Sequence, residues 1–119
     1  MQIALTKKLA DAAGVALVPA ISEADPLFSW TANWINTFDR RKEDMVVMVN
    51  NATRFTVTIY GMKRGRLKGI KSSMTAAIRN TLLSMNLNPE IVEAYVQQAG
   101  DPIFTANHDR KFTAWVSRQ

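Results

Sequence analysis

The feature of this 119-residue chain that most constrains its fold is the run from Met45 to Val49, which is apolar at every position. A strand that is apolar on both faces must be covered on both faces, so this run predicts the central strand of a sheet. An alternating stretch precedes it, Trp30 to Ile35, and another follows it, Phe55 to Tyr60. Such alternation is typical of half-buried strands. Together the three runs predict an antiparallel meander with strands near residues 30–37, 45–50 and 54–60.

Helix signals lie on both sides of this meander. A short stretch with apolar residues at helical spacing lies between Thr6 and Gly14. Threonine is a common N-cap, and glycine commonly ends a helix in the left-handed conformation, so a first helix is predicted here. A second helix is predicted from Ser72 or Ser73, with the stripe Met74, Ile78, Leu82 and Met85. Asn88-Pro89-Glu90 predicts the start of a third, which would bury Ile91 and Tyr95, with Val92 and Val96 as further candidates.

These elements predict an α+β fold: a three- or four-stranded antiparallel meander packed with helices, in a single domain of residues 1–119. Short strands are also predicted near residues 1–5 and 103–105. The two later helices are expected to cover one face of the central strand, and the first helix with the segment around Trp115 the other. The side chains expected to be largely buried are Trp30, Val47, Val49, Phe55, Val57, Ile78, Leu82 and Tyr95.

The residue types that are missing or rare exclude several kinds of site. The chain has no cysteine and one histidine, which excludes disulfides, thiolate metal sites and a cysteine nucleophile and makes a zinc site improbable. We therefore predict no metal and no cofactor. No stretch reaches the roughly 18 apolar residues of a membrane span, and Lys7 and Lys8 follow the short apolar start rather than precede it, unlike a signal peptide. The sequence predicts a cytoplasmic protein without membrane contact.

Positive charge is concentrated in one part of the chain. The net charge is +5, and residues 45–89 hold seven cations and no acid. Five of the seven fall between residues 63 and 71, in a stretch whose two glycines predict a flexible basic loop. An uncompensated basic patch is typical of nucleic-acid-binding proteins, and the alternative is a solvated face that only aids solubility. The residues predicted to bind RNA or DNA, weakly and with little sequence preference, are Lys63, Arg64, Arg66, Lys68, Lys71 and Arg79.

Candidates for catalysis are few. His108 stands beside Asp109, and an imidazole oriented by a carboxylate can act as a general base near neutral pH. An exposed loop histidine is the favoured alternative. The carboxylates between residues 39 and 44 are interleaved with cations, which favours salt bridges over acid–base chemistry. The sequence contains no nucleophile elbow, Walker loop or dinucleotide fingerprint.

Several short motifs resemble a family of small uncharacterised bacterial proteins that is classed as a domain of unknown function. The motifs are Leu5-Thr6-Lys7-Lys8-Leu9, Trp30 with Asn33, Arg40-Arg41-Lys42, Val47-Met48-Val49-Asn50 with Thr53-Arg54, and Phe104-Thr105-Ala106-Asn107 with Arg110. The resemblance spans nearly the whole chain and implies a shared fold without an assigned activity. With His108 added, it gives a possible polar site: Asn33, Arg40, Arg41, Asn50, Thr53, Arg54, Thr105, Asn107, His108 and Arg110.

The turn from Asn50 to Arg54 has two interpretations. Asn and Thr side chains cap tight turns, so these residues could serve the hairpin alone, with Arg54 paired to Asp39 or Asp44. A binding role is the other interpretation, and the sequence does not decide between them.

Three functions are consistent with these observations. The favoured one is a small non-catalytic binding domain for an anionic partner such as RNA or DNA. The second is a metal-independent, nuclease-like small enzyme that uses Arg54, His108 and Arg110. The third is a protein-interaction or inhibitor module with a protein partner.

Overall fold

The centre of the molecule is a five-stranded mixed sheet with the strand order β4-β3-β2-β1-β5. The computed structural model describes residues 1–20, 24–35 and 44–106. Within them the strands are β1 (Gln2–Leu5), β2 (Ser29–Ile35), β3 (Met45–Asn50), β4 (Thr56–Tyr60) and β5 (Ile103–Ala106). The α-helices are α1 (Lys7–Ala13), α2 (Ile70–Ser84) and α3 (Pro89–Ala99), and two 3₁₀ segments, Pro26–Phe28 and Arg64–Gly69, precede β2 and α2.

The predicted meander is present, but it is only part of the sheet. Strands β2, β3 and β4 pair antiparallel, with Trp30 opposite Asn50 and Met48 opposite Val57. The α+β class is therefore confirmed, whereas a purely antiparallel sheet of three or four strands is wrong. Strand β1 lies between β2 and β5 and pairs in parallel with both. Parallel partners are joined by crossovers rather than hairpins, so no local turn signal revealed these two pairings.

Local sequence signals set the ends of α1 and α3. Thr6 Oγ1 accepts the backbone N–H of Leu9 at 3.4 Å, and Gly14 follows α1 with a left-handed φ of 67°. At the start of α3, Asn88 Oδ1 accepts the backbone N–H of Glu90 at 2.9 Å. Both predicted helix starts are confirmed because each depends only on neighbouring residues.

The start of α2 differs from the prediction. The 3₁₀ segment runs directly into α2 at Ile70, and the Ile70 N–H donates to the carbonyl oxygen of Leu67. The hydroxyls of Ser72 and Ser73 donate to the carbonyl of Gly69 at 3.2 and 3.4 Å, so neither serine caps the helix. The stretch predicted as a flexible basic loop is thus a regular 3₁₀ segment, and the fully buried Leu67 anchors it to the core.

One apolar cluster joins the sheet to all three helices. It contains Leu5 of β1, Leu9 of α1, Trp34 of β2 and Ile78 of α2. Because Leu9 packs in the same cluster as Ile78, α1 and α2 share one core. The prediction that α1 and α2 cover opposite faces of the central strand is therefore wrong. The segment around Trp115, the other predicted cover, lies outside the described residues.

The opposite face of the central strand carries a second, smaller cluster of Val47 and Val49, with Ile35 and Met45 packed against it. Both β2 and β3 are buried along nearly their whole length, including the polar Thr31. The expectation that the apolar run forms a strand buried on both faces is confirmed. The alternation in β2 therefore marks two buried faces of different polarity rather than one buried and one exposed face.

The predicted core is largely correct. The buried members are Trp30, Val47, Val49, Val57 and Ile78, and the partly buried ones are Phe55, Leu82 and Tyr95. No helix among the described residues has the length and apolar character needed to cross a membrane.

Two residues of α2 test this packing. Ile78 is fully buried, whereas Leu83 is 37% exposed. We expect Ile78→Ala to lower the free energy of unfolding by about 2–5 kcal/mol, because the cavity removes packed core contacts. Leu83→Ala serves as the control and should change it by less than about 0.5 kcal/mol. Urea unfolding followed by circular dichroism measures both values, and equal losses would contradict the packing described.

Candidate functional site

Two tryptophans of β2 mark the two ends of the helix-covered face of the sheet. Trp30 and Trp34 are four residues apart, so their side chains leave the strand on the same face, and both are buried. The Trp34 Nε1–H donates to the carbonyl oxygen of Met62 at 2.8 Å, and the Trp30 Nε1–H donates to the Tyr95 hydroxyl at 3.2 Å. Trp34 thus lies near the basic 3₁₀ segment and Trp30 near α3. A separate candidate surface forms around each ring.

Cations from two distant segments lie over the Trp34 ring. Lys8 Nζ, from the first turn of α1, is 5.6 Å from the ring centroid, and the guanidinium carbon of Arg64 is 5.5 Å from it. The negative face of an indole attracts cations, so these contacts hold both long side chains in place. Sequence reasoning left Lys8 out of the basic patch, because only the tertiary fold brings α1 against the 3₁₀ segment.

We use the name cation ridge for five residues, Lys8, Lys63, Arg64, Arg66 and Lys68. All five are exposed. The ridge has a regular backbone: the Arg66 N–H donates to the Lys63 carbonyl at 2.8 Å. At Gly61, φ is 69°, and an Arg66 guanidinium nitrogen lies 3.8 Å from the position a Cβ would occupy. The ridge cations therefore project from a fixed surface rather than a loose loop.

The other two predicted nucleic-acid-binding residues, Lys71 and Arg79, lie on a different surface. They border a polar depression of about 460 Å³ lined by Lys71, Ser72, Thr75, Ala76, Arg79, Asp101 and Pro102. Arg79 Nε is 2.7 Å from Glu93 Oε1, an ion pair in which the N–H is not aligned for a hydrogen bond. Since Glu93 pairs with Arg79 and Asp101 shares the depression, the acid-free stretch of sequence is partly neutralised in space.

A groove with apolar walls opens beside Trp30, at the other end of the sheet. Its volume is about 440 Å³, within the usual range of small-ligand sites. We call it the apolar groove, and its lining residues are Leu27, Trp30, Asn50, Thr53, Arg54, Phe55, Leu82, Met85, Leu87, Ile91, Val92 and Tyr95. Four of them are large apolar side chains open to solvent: Leu27 (43% exposed), Met85 (54%), Leu87 (43%) and Ile91 (64%). Burial of Ile91, predicted from its helical spacing, is wrong.

The turn from Asn50 to Phe55 forms the polar edge of the apolar groove. Asn50 Oδ1 accepts the N–H groups of Ala52 and Thr53 at 3.0 and 3.1 Å, and Asn50 Nδ2 donates to the Leu27 carbonyl at 2.9 Å. Thr53 Oγ1 accepts the Phe55 N–H at 3.2 Å. These bonds support the interpretation that Asn50 and Thr53 shape the turn.

Arg54 is placed by this turn at the edge of the apolar groove. Its φ is 64°, a left-handed conformation that is uncommon outside glycine. The Arg54 N–H donates to the Asn50 carbonyl at 2.9 Å, which helps to hold that backbone. Among the described lining residues Arg54 is the one with a charged side chain. The lining of the groove thus combines apolar side chains with one arginine.

Tyr95 forms the inner wall of the apolar groove. Its hydroxyl accepts from Trp30 Nε1 and donates to the Leu27 carbonyl at 2.8 Å, and its ring stacks on Phe28 with centroids 5.2 Å apart. Burial raises the pKa of the Tyr95 phenol; the hydrogen bond from Trp30 acts against this, and the charge of Asp25 adds to it. The phenol therefore stays protonated at neutral pH and keeps both hydrogen bonds.

The two other described members of the predicted polar site, Asn33 and Thr105, do not line this groove. Asn33 is buried, and its Oδ1 accepts from the Thr6 hydroxyl at 2.8 Å and from the Trp34 N–H at 2.9 Å. Thr105 is fully buried, and its hydroxyl has no hydrogen-bond partner among the described residues. Of the five members that the structure describes, it thus brings together Asn50, Thr53 and Arg54. The members that lie outside the described residues are Arg40, Arg41, Asn107, His108 and Arg110.

Metal-ligating groups are dispersed in the part of the chain that the structure describes. No group of three or more His, Asp or Glu side chains there is arranged to hold a metal ion. The described residues instead form two separate surfaces: the apolar groove, with Arg54 in its lining, and the cation ridge.

Comparison with known proteins gives a family without a function. A family model described as a domain of unknown function (DUF6933) matches residues 2–118. No curated protein and no solved structure matches the chain. A functional interpretation therefore depends on the geometry of the two surfaces.

Tyr95 provides a test of the groove's inner wall. We expect Tyr95→Phe to lower the free energy of unfolding by about 1–3 kcal/mol at pH 7, because Trp30 Nε1 loses its acceptor. A phenol whose pKa is raised by folding stabilises the folded state below its unfolded pKa of about 10, and this contribution is lost as pH rises further. The difference between the variant and the wild type should therefore shrink above about pH 10.

Urea unfolding at pH 7 and at about pH 10.5 measures this difference. Tyr60→Phe is the matched control, because Tyr60 is 65% exposed and we expect almost no change at pH 7. A Tyr95→Phe variant as stable as the wild type at pH 7 would contradict the described hydrogen bonds.

Proposed function

The chain belongs to the DUF6933 family of domains of unknown function, and we propose that it is a non-catalytic binding domain that contacts nucleic acid through the cation ridge. The family supplies no activity, so the proposal rests on the placement of charge. The partner is RNA or DNA, held by its phosphates rather than read by its bases.

The observation that carries the proposal is the contact of both Lys8 and Arg64 with the Trp34 ring. It brings the charge of α1 beside the charges of the 3₁₀ segment and holds both on a buried side chain. Like charges held close together raise the local positive potential, which attracts polyanions and releases their counterions on binding.

The length of the cation ridge fits a short piece of nucleic-acid backbone. A 3₁₀ segment rises about 2.0 Å per residue, so the stretch from Lys63 to Lys68 spans about 10 Å. Phosphates of one strand recur every 3.4 Å or so along a duplex axis, so the ridge matches about three of them. Three phosphate contacts give weak affinity, with a dissociation constant of roughly 10⁻⁴–10⁻⁶ M.

The nuclease-like alternative has less support. Of its three residues, Arg54 lies at the apolar groove, at the end of β2 away from the cation ridge. His108 and Arg110 lie outside the described residues. The described residues therefore supply no arrangement that favours RNA cleavage over binding.

Charge-removal variants test the proposal. The variant Lys63→Gln/Arg66→Gln/Lys68→Gln removes three ridge cations and leaves Lys8 and Arg64, which pack on Trp34. The logarithm of the wild-type binding constant for a duplex should fall with the logarithm of salt concentration with a slope of about −3. The slope of the variant should be clearly shallower, because only Lys8 and Arg64 of the ridge remain to contact phosphates. Stability should change by less than about 0.5 kcal/mol, since exposed charges contribute little to folding.

The measurement is a titration of a fluorescent single strand and a fluorescent duplex at several salt concentrations. The matched control, Arg54→Gln/Lys71→Gln/Arg79→Gln, lowers the net charge equally at residues that lie on other surfaces, and it should keep the wild-type slope. Absence of wild-type binding at low salt would reject the proposal and favour a protein partner. An equal loss in both variants would show that net charge, and not the ridge, is responsible.

A further inference from the structure

The apolar groove exposes side chains that a helical hairpin ordinarily buries. Met85 directly follows α2, Leu87 lies in the connection, and Ile91 lies in the first turn of α3. All three line the apolar groove and are open to solvent, together with Leu27 from the other side. Contiguous apolar exposure of this kind marks a site that another molecule covers.

The floor of the apolar groove is rigid. Trp30 and Val92 are buried, and the Trp30 indole is hydrogen-bonded to the Tyr95 hydroxyl, which in turn donates to the Leu27 carbonyl. Asn50 Nδ2 donates to the same carbonyl and so ties the polar edge to the opposite wall. A site held in this way is preformed, which lowers the entropy lost on binding.

The polar residues in the lining of the apolar groove favour one kind of polar group on a ligand, a carboxylate. The Asn50 amide and the Tyr95 hydroxyl are engaged by main-chain and side-chain partners of the protein itself. Arg54 is the charged member of the lining, and a guanidinium has five N–H donors. It can therefore hold a carboxylate beside the contacts that it already makes within the protein.

We propose that the apolar groove binds a small amphiphilic carboxylate. Its apolar part packs against Met85, Leu87 and Ile91, and its carboxylate binds the guanidinium of Arg54. This site lies at the opposite end of β2 from the cation ridge and is independent of the proposed nucleic-acid binding. A medium-chain fatty acid has the required chemistry: one anionic end and a flexible apolar body.

The volume of the apolar groove suits a small molecule. The groove holds about 440 Å³, and pockets for small molecules usually hold roughly 300–1,000 Å³. Such pockets are lined mostly by apolar side chains with a few polar groups that orient the ligand, and the lining of this groove has that composition.

A comparison of decanoate with 1-decanol tests the apolar contacts and the Arg54 contact separately. Both molecules have a carbon chain of the same length, but only decanoate carries a carboxylate. Both ligands are titrated below their aggregation limits by calorimetry and by NMR of the indole N–H signals. We expect wild-type protein to bind decanoate about tenfold more tightly than decanol, because a charge-assisted pair to Arg54 contributes on that scale. The Trp30 indole signal should shift, and the Trp34 signal should remain in place.

Four variants assign the contacts. Arg54→Gln should lower decanoate affinity about tenfold and leave decanol unchanged, and Arg54→Lys should restore part of the loss. Ile91→Asn, at an exposed position that should not impair folding, should weaken both ligands alike. Lys68→Gln removes one charge from the cation ridge and should bind decanoate like the wild type.

Three results would overturn the proposal. These are the absence of decanoate binding, equal losses in Arg54→Gln and Lys68→Gln, or an unchanged affinity in Ile91→Asn. Tight binding of an amphipathic helical peptide without any binding of decanoate would assign the groove to a protein partner instead. None of these results depends on whether the cation ridge binds nucleic acid.

Discussion

The pairing of β1 with strands on both sides is the constraint on which the remaining structure depends. Because β1 is flanked by β2 and β5, the chain that leaves β4 at one edge must return to the opposite edge. That path crosses four inter-strand spacings of about 4.8 Å each, or roughly 19 Å. The 3₁₀ segment, α2 and α3 make this crossing, and they cover the face that carries both tryptophans.

Both candidate surfaces follow from this crossing. At its start, the 3₁₀ segment passes over Trp34 and meets α1, which gathers charge from two parts of the chain. At its turning point, between α2 and α3, the chain reverses beside Trp30 and leaves apolar side chains unpaired. Both surfaces therefore depend on a tryptophan of the same strand, β2. Trp34 supports the cation ridge at one end of the strand, and Trp30 supports the apolar groove at the other.

The sequence predicted what depends on neighbouring residues, and it failed where distant segments meet. The run Met45–Val49 and the caps at Thr6 and Asn88 depend on local pattern, and each was found in its expected place. Lys8 was missed as a member of the cation ridge because its partner comes from another element. The stripe that includes Ile91 predicted burial, but burial requires a covering element, which periodicity does not reveal.

The main-chain hydrogen bonds of Val18 to the edge strand β5 affect how two molecules can associate. Its N–H donates to the Phe104 carbonyl at 3.0 Å, and its own carbonyl accepts the Ala106 N–H at 3.3 Å. Those two main-chain groups of β5 face outward from the sheet, where an incoming strand would otherwise pair with them. One residue of a connecting segment therefore blocks this edge against strand addition, the first step of sheet-to-sheet aggregation.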